Sequence, residues 1–254
     1  MKVLLLGATG NLGSRLVPAL LTHGHSVVAY VRSANKLESL LPGSVYGHII
    51  TVQGDAMDTA SIKKAIVDNR CDAVINTAGM AAMAPWNKSD LPAIFAAVLK
   101  AVREASAETK SPLRAWFLGG IGVLYWPGTE TLLSNYAPVF LEHRQDLRSL
   151  QALPPNTIQW SMLCPGYMIP ESSTLDVPTK TLQGKLVASA SSPPLWKHSW
   201  FESIPLLGRI LSIGMNFSRY ETTLEQAADF IASDLETRES RFIGKTVGII
   251  DASK

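Results

Sequence analysis

The chain has 254 residues, 46% of them hydrophobic and 17% charged, with a formal net charge of +2 and no basic run. Such a chain buries most of its unfolded surface without staples, and its balance of charge argues against a nucleic-acid partner. Two cysteines in apolar runs, Cys71 and Cys164, and five scattered histidines give neither a disulfide framework nor a metal-ligand spacing, so no metal is expected and the thiols read as reduced, in a cytoplasmic protein.

The apolar run Lys2 to Leu6 reads as a first strand stopped at Gly7. It is too short for a secretory signal and leads into turn chemistry rather than a cleavage site. A helix follows over Leu12 to His23, with Leu12, Leu16, Ala19 and Leu20 at helical spacing and Gly24 as its stop. Strands are predicted at 26–31 and 49–53, a helix at 60–67, a strand at 73–76 and a long helix at 91–105. A fifth strand at 114–118 ends in Gly119-Gly120. A helix at 138–150 and a sixth strand at 157–163 come next. The run Ile204 to Phe217 is interrupted by Arg209 and is too short to span a bilayer. Two overlapping capping boxes in Thr222-Thr223-Leu224-Glu225-Gln226 open a helix to about Leu235, and a last strand lies at 245–250.

Gly7-Ala8-Thr9-Gly10-Asn11-Leu12-Gly13 is a G-x-x-G-x-x-G turn between the first strand and the first helix. Glycines there let the backbone approach a pyrophosphate, and the helix offers free N–H groups and the positive end of its dipole. A glycine triplet alone is weak evidence; one that opens a strand–turn–helix unit is much stronger. Thr9, Gly10, Asn11, Leu12 and Gly13 are therefore candidate cofactor contacts. Beyond the second strand the chain carries Arg32, Ser33 and Lys36, with no carboxylate before Glu38. An acidic residue there would hold the ribose of NAD; two cations and a hydroxyl suit the extra phosphate of NADP(H), unless they are ordinary solvated groups. Asp55-Ala56 follows the third strand, where a side chain can meet adenine. Thr77-Ala78-Gly79 follows the fourth, beside the nicotinamide ribose. Either set could be plain loop chemistry. The alternation as a whole predicts an α/β fold: a Rossmann-type doubly wound parallel sheet with a small irregular C-terminal substrate-side region. One domain is expected over 1–254, with 167–221 giving substrate-side loops and short helices.

These residues resemble the atypical short-chain dehydrogenase/reductase superfamily, in particular its NmrA-like and flavin/biliverdin-reductase-like branch. The resemblance rests on the Gly7-to-Gly13 turn, Arg32-Ser33, Gly54-Asp55, Thr77-Ala78-Gly79 and Cys164-Pro165-Gly166, and covers about the first two thirds of the chain. It implies NAD(P) binding, with Gly119, Gly120, Pro165 and Gly166 among the positions around the cofactor, and a substrate cleft above the carboxyl ends of the strands. It does not fix a reaction. The Tyr-x-x-x-Lys pair of the main branch is missing, and Gly119-Gly120 stands where a serine is usual. His143 falls where related members carry a lysine or histidine. It could hold the ribose, donate a proton near neutral pH, or merely occupy a polar helix face. Tyr125 and Tyr167 are further proton-donor candidates or pocket walls.

The segments Met80 to Trp86, Tyr125-Trp126, Tyr167-Met168 and Trp196 to Trp200 follow strand ends. If they converge, the cleft is aromatic and weakly charged and suits a bulky, largely apolar small molecule, such as a secondary-metabolite intermediate; they could equally pack loops on the core. Three functions remain open: an NADP(H)-dependent oxidoreductase, a repurposed fold catalysing a cyclisation or rearrangement, or a non-catalytic NADP(H) redox sensor. No membrane partner is expected, and the oligomeric state is not legible.

Overall fold

The computed structural model describes residues 1–79, 89–178, 183–205, 207–237 and 239–253. In chain order they form β1 (Lys2–Leu6), α1 (Asn11–Thr22), β2 (Ser26–Val31), α2 (Ala34–Leu40), α3 (Gly43–Tyr46), β3 (Ile50–Gln53), α4 (Thr59–Asp68), β4 (Ala73–Asn76), α5 (Leu91–Thr109), β5 (Arg114–Leu118), α6 (Glu142–Gln151), β6 (Gln159–Leu163), β7 (Tyr167–Ile169), β8 (Leu186–Ala190), α7 (Gly208–Phe217), β9 (Glu221–Thr223), α8 (Leu224–Asp234) and β10 (Lys245–Asp251). One sheet has the order β3-β2-β1-β4-β5-β6-β10-β8, parallel except for β8, and β7 pairs with β9 in a small parallel ribbon. The strand order reverses between β1 and β4, where a doubly wound sheet opens its ligand crevice.

The apolar runs of the central strands are explained by cover on both faces. Val3 and Leu5 of β1 point to the side packed by α1 and α8; Leu4 and Leu6 point to the side packed by α4, α5 and α6. Helix starts follow their caps. The Asp58 carboxylate accepts from the N–H groups of Ala60 and Ser61 at 3.0 and 3.1 Å, and Thr223 and Gln226 form a reciprocal capping box at α8. Of the two overlapping boxes expected there, the second forms. Glu225 instead accepts from Arg15 Nε at 2.7 Å and from the Glu171 N–H at 2.9 Å, while the Arg15 guanidinium also reaches the Ser172 carbonyl at 3.0 Å. This strut ties α1, α8 and the chain at 171–172 together. Burial alone would raise the Glu225 pKa; the Glu171 and Arg15 hydrogen bonds outweigh it and hold the carboxyl below its usual range.

Two expectations are corrected. The helix drawn from Pro138 begins at Glu142, because Phe140 takes a left-handed φ of 50° and Pro138 has no N–H to give. The irregular stretch 167–221 also supplies β8 to the main sheet, antiparallel to β10. Both cysteines are buried and unpaired, and burial pushes the Cys71 thiol up to about 12. Among the described residues no helix is long and apolar enough to cross a membrane, and none group as a metal site.

At the amino-terminal ends of the strands, His23 is clamped between Asp229 (2.9 Å) and Glu236 (2.7 Å). Burial lowers its pKa, but the two carboxylates outweigh that and raise it above 6.5. The clamp is therefore complete below pH 6.5 and is lost as pH climbs through the raised folded value. His25 shifts the other way, lowered mainly by burial, so the clean test is a difference. The melting temperature of wild type minus that of His23→Gln is expected to be larger at low than at high pH. A difference independent of pH removes the clamp.

Candidate functional site

The carboxyl ends of β1, β2, β4, β5 and β6 form one rim. Gly7 ends β1 with φ of 87°, and a Cβ there would lie 2.7 Å from Ala78 N. A Cβ on Gly13 would lie 2.1 Å from the Gly7 carbonyl oxygen. The glycines thus let the turn fold back on itself and let α1 start against β4. Gly10 caps α1 without a side-chain hydrogen bond, and no acidic residue lies in the first turn. Thr9, Asn11 and Leu12 surround this helix opening, and a diphosphate fits it: its amides meet no capping side chain among the described residues, and the cradle has no Cβ filling it.

Thr77 is fixed by its own N–H and Oγ1, which donate to the Leu6 carbonyl at 3.0 and 2.9 Å; Ala78 N donates to Asn76 Oδ1 at 3.1 Å. Gly79 follows with φ of 99°. The expected trio therefore stands against the glycine turn. Beyond β2, Arg32 and Lys36 are exposed, and no ion pair engages either among the described residues. Ser33 caps α2 by accepting from Lys36 N at 3.3 Å, which leaves its own O–H free to donate outward. Asp55 is partly committed to its loop, accepting from Met57 N at 2.9 Å, and Ala56 packs against the core side of α4.

Beyond β5 and β6 lies an apolar cavity whose wall includes Gly119, Gly120, Pro165 and Gly166 together with Phe140, Met168 and Phe217. His143 is the one ionisable side chain in this wall among the described residues. It occupies the first turn of α6, and the Cδ2–Nε2 edge of its ring faces Gly120: a Cβ there would sit 3.4 Å from Cδ2. A serine hydroxyl at 120 would therefore point at the imidazole.

The other ring nitrogen has a partner that the sequence reading missed. His143 Nδ1 lies 3.5 Å from Asp146 Oδ2, an ion-pair distance rather than a formed hydrogen bond, and among the described residues neither buried atom has a hydrogen-bond partner. Asp146 is buried, which raises its carboxyl pKa, while His143 pulls it back. The i, i+3 spacing on one helix face was the available signal. A proton shared between Nδ1 and Oδ2 would fix the ring with Nε2 toward the cavity.

A second apolar cavity shares Ile121, Gly122, Val139 and Phe217 with the first and is lined further by Trp196, Ile213 and Tyr220. Trp196 meets the expectation of an aromatic wall, and Tyr220 was missed. The Tyr220 hydroxyl is spent on the Pro194 carbonyl at 2.6 Å and burial raises its pKa, so it is wall, not acid. Two other candidates stand apart. The Tyr125 hydroxyl accepts from Gln151 Nε2 at 3.0 Å, at the far end of α6, roughly 12 Å along the helix from His143. Tyr167 is 58% exposed on β7, while its neighbour Met168 lines the cavity. Trp126 packs edge-on against Trp196 and Tyr136 behind the wall, and Trp200 is 73% exposed. The expected segment Met80 to Trp86 lies outside the described residues.

A family model described as NAD(P)H-binding matches residues 7–191, from the glycine turn to the end of β8. Among curated proteins, UDP-glucose 4-epimerase of Neisseria meningitidis serogroup B is 36% identical over 85 residues, 32% of this chain and 25% of that protein. An uncharacterized protein of Schizosaccharomyces pombe is 31% identical over 113 residues, 44% of this chain and 36% of that protein. The matches thus span about a quarter to a third of these relatives. Among solved structures, a short-chain dehydrogenase/reductase of Veillonella parvula in complex with NADP aligns with TM-score 0.61 and 12% identity, over 99% of this chain and 94% of that one. An oxidoreductase of Lactococcus lactis aligns with TM-score 0.62 and 17% identity, over 99% and 91%. At these identities they share the fold.

Proposed function

Because the chain belongs to the NAD(P)H-binding family, we propose that it is an NADP(H)-dependent oxidoreductase of the short-chain dehydrogenase/reductase kind acting on a bulky, largely apolar small molecule. A carbonyl, imine or conjugated system of the sort found among secondary metabolites is the substrate class. The observation that carries this reading is the apolar cavity beside Gly120 with His143 as its proton-exchanging ring. Bound NADPH supplies a hydride, which needs mainly a well-posed nicotinamide. The chain's own part is to hold the diphosphate on the opening amides of α1, to meet the 2′-phosphate with Arg32 and Lys36, and to exclude water with Phe140, Met168 and Phe217. The proton that balances the hydride comes from His143 Nε2, and the ring is recharged from solvent.

Arg32→Ala tests the cofactor half of the proposal. A charge-assisted hydrogen bond contributes about 1.5–3 kcal/mol, so NADPH affinity is expected to fall roughly 10- to 150-fold while NADH affinity holds. Titration by intrinsic fluorescence reads both. Equal affinities of the wild type for NADPH and NADH would discard the 2′-phosphate assignment. Absorbance at the nicotinamide band with quinones, enones and imines, against small polar aldehydes, tests the substrate half; turnover confined to the aldehydes would contradict it.

A further inference from the structure

We propose that the outer face of α7 pairs with the same face of a second copy of this chain. A surface helix ordinarily turns its apolar stripe to the core. On α7 one apolar residue, Ile213, packs against the core, but the fully buried stripe is not apolar. The buried stripe of α7 is Gly208, Ser212 and Asn216. Ser212 donates to Glu202 at 2.9 Å, and the Asn216 amide exchanges hydrogen bonds with the Lys197 backbone at 2.9 and 3.0 Å. The outward stripe is apolar: Leu207 is 61% exposed, Leu211 47% and Met215 55%, with Ile210 and Phe217 beside them.

The patch runs on past the helix. Phe217 shares the cavity wall with exposed Val139 and Phe140, and Ile210 shares a groove with exposed Ile204. At ~200 Å² for each large side chain, these partly exposed groups present on the order of 700 Å². That exceeds the ~300–600 Å² patch of an ordinary monomer and approaches the ~800 Å² that each partner of a stable dimer covers.

Gly214 selects the occupant. At about 100° per residue it lies near the middle of the exposed arc, between Leu207 and Leu211 on one side and Ile210 and Phe217 on the other. A glycine inside a helix weakens it relative to alanine. A Cβ at 214 would meet nothing within 4 Å, so packing inside the protomer does not require the bare backbone. Close approach from outside does. In a two-fold pair the α7 helices cross with Gly214 at the contact and side chains of each seated in the gap of the other. A lipid surface would need no gap, and Arg209, the cation of this helix, is held over the rings of Trp126 and Tyr136 rather than free for anionic headgroups. Because Val139 and Phe217 belong both to the patch and to the cavity wall, the second copy would also close the cavity's outer side.

Sedimentation velocity on the full chain, from ~1 to ~100 µM, reads the assembly directly. The wild type is expected to be dimeric, and Leu211→Glu monomeric with an unchanged circular dichroism spectrum. Should that variant fail to fold, Gly214→Ala decides. Its dissociation constant is expected to rise about 5- to 100-fold through overpacking at the crossing, while its melting temperature at low concentration does not fall. A wild type that stays monomeric throughout overturns the proposal. So does a dimer that tolerates both substitutions, or a monomer that floats with phosphatidylcholine vesicles, which would give the face to lipid instead.

Discussion

Replacing His143 by phenylalanine is expected to lower kcat by roughly 10²- to 10⁴-fold, the usual worth of a positioned proton donor. In the cavity wall, apolar side chains surround one imidazole whose Cδ2–Nε2 edge faces the bare Gly120. Among the described residues neither Tyr125 nor Tyr220 is placed to substitute for it: the Tyr125 hydroxyl lies at the other end of α6, and that of Tyr220 donates to the Pro194 carbonyl. Phenylalanine is at least as large as the imidazole it replaces, so a collapsed cavity is not an explanation for lost turnover. The split between constants identifies the role. A fall in kcat with NADPH affinity unchanged assigns proton donation, whereas a fall in NADPH affinity assigns the histidine to the ribose. Asp146→Asn is expected to lower kcat less, and to change the ¹⁵N chemical shifts of the His143 ring, since the amide can offer Nδ1 either a donor or an acceptor. Full activity in His143→Phe would remove the ring from the chemistry altogether.

The largest expected effect on stability lies at the opposite end of the sheet. Arg114 opens β5 but is only 2% exposed. Its guanidinium donates to Asp234 at 2.8 Å, to Ser161 at 2.8 Å and to the Gln159 carbonyl at 2.7 Å. Asp234 also accepts from the Trp116 indole N–H at 3.1 Å and from Ser240 at 2.5 Å. Burial lowers the Arg114 pKa, and the Asp234 carboxylate offsets only part of that fall. Asp234→Ala strands a cation in the interior and is expected to cost about 3–5 kcal/mol in urea unfolding. Arg114→Met with Asp234→Leu removes both charges and is expected to recover most of that loss, because the desolvation penalty goes with the pair. A loss under about 1 kcal/mol for Asp234→Ala, typical of an exposed pair, would refute the buried-network account.

The sheet was readable because its strands are short apolar runs closed by glycine or proline, as at Gly7, Gly119 and Pro165, and because helices with a clear period separate most of them; the short α2 and α3 between β2 and β3 carry too little period and were not read. The glycine turn was readable for the same reason: strand before, helix after. What escaped reading lacked local signal. The β8 sequence Leu-Val-Ala-Ser-Ala, half-buried throughout, carries no strong alternation, and its strand character comes from β10 beside it. The first turn of α6 shifted because Phe140 takes a left-handed φ of 50°, which its residue type does not foretell. The Asp146 pairing was visible only as a spacing. Nothing in residues 167–220 announced that Tyr220 and Trp196, far apart in sequence, would share a wall; the ring centroids lie 6.2 Å apart through tertiary packing alone.

Arg15 lies one helical turn beyond Asn11, so the helix that opens at the glycine turn is bolted, four residues on, to Ser172 and Glu225. Both bolts lie outside the stretch 191–219, which gives Trp196, Ile213 and Phe217 to the inner cavity wall. Lengthening or recasting that stretch would leave the bolts, and with them the shelf for the nucleotide, where they are. If the proposed function holds, the scaffold permits the substrate to drift through loop changes while the nucleotide it uses stays fixed.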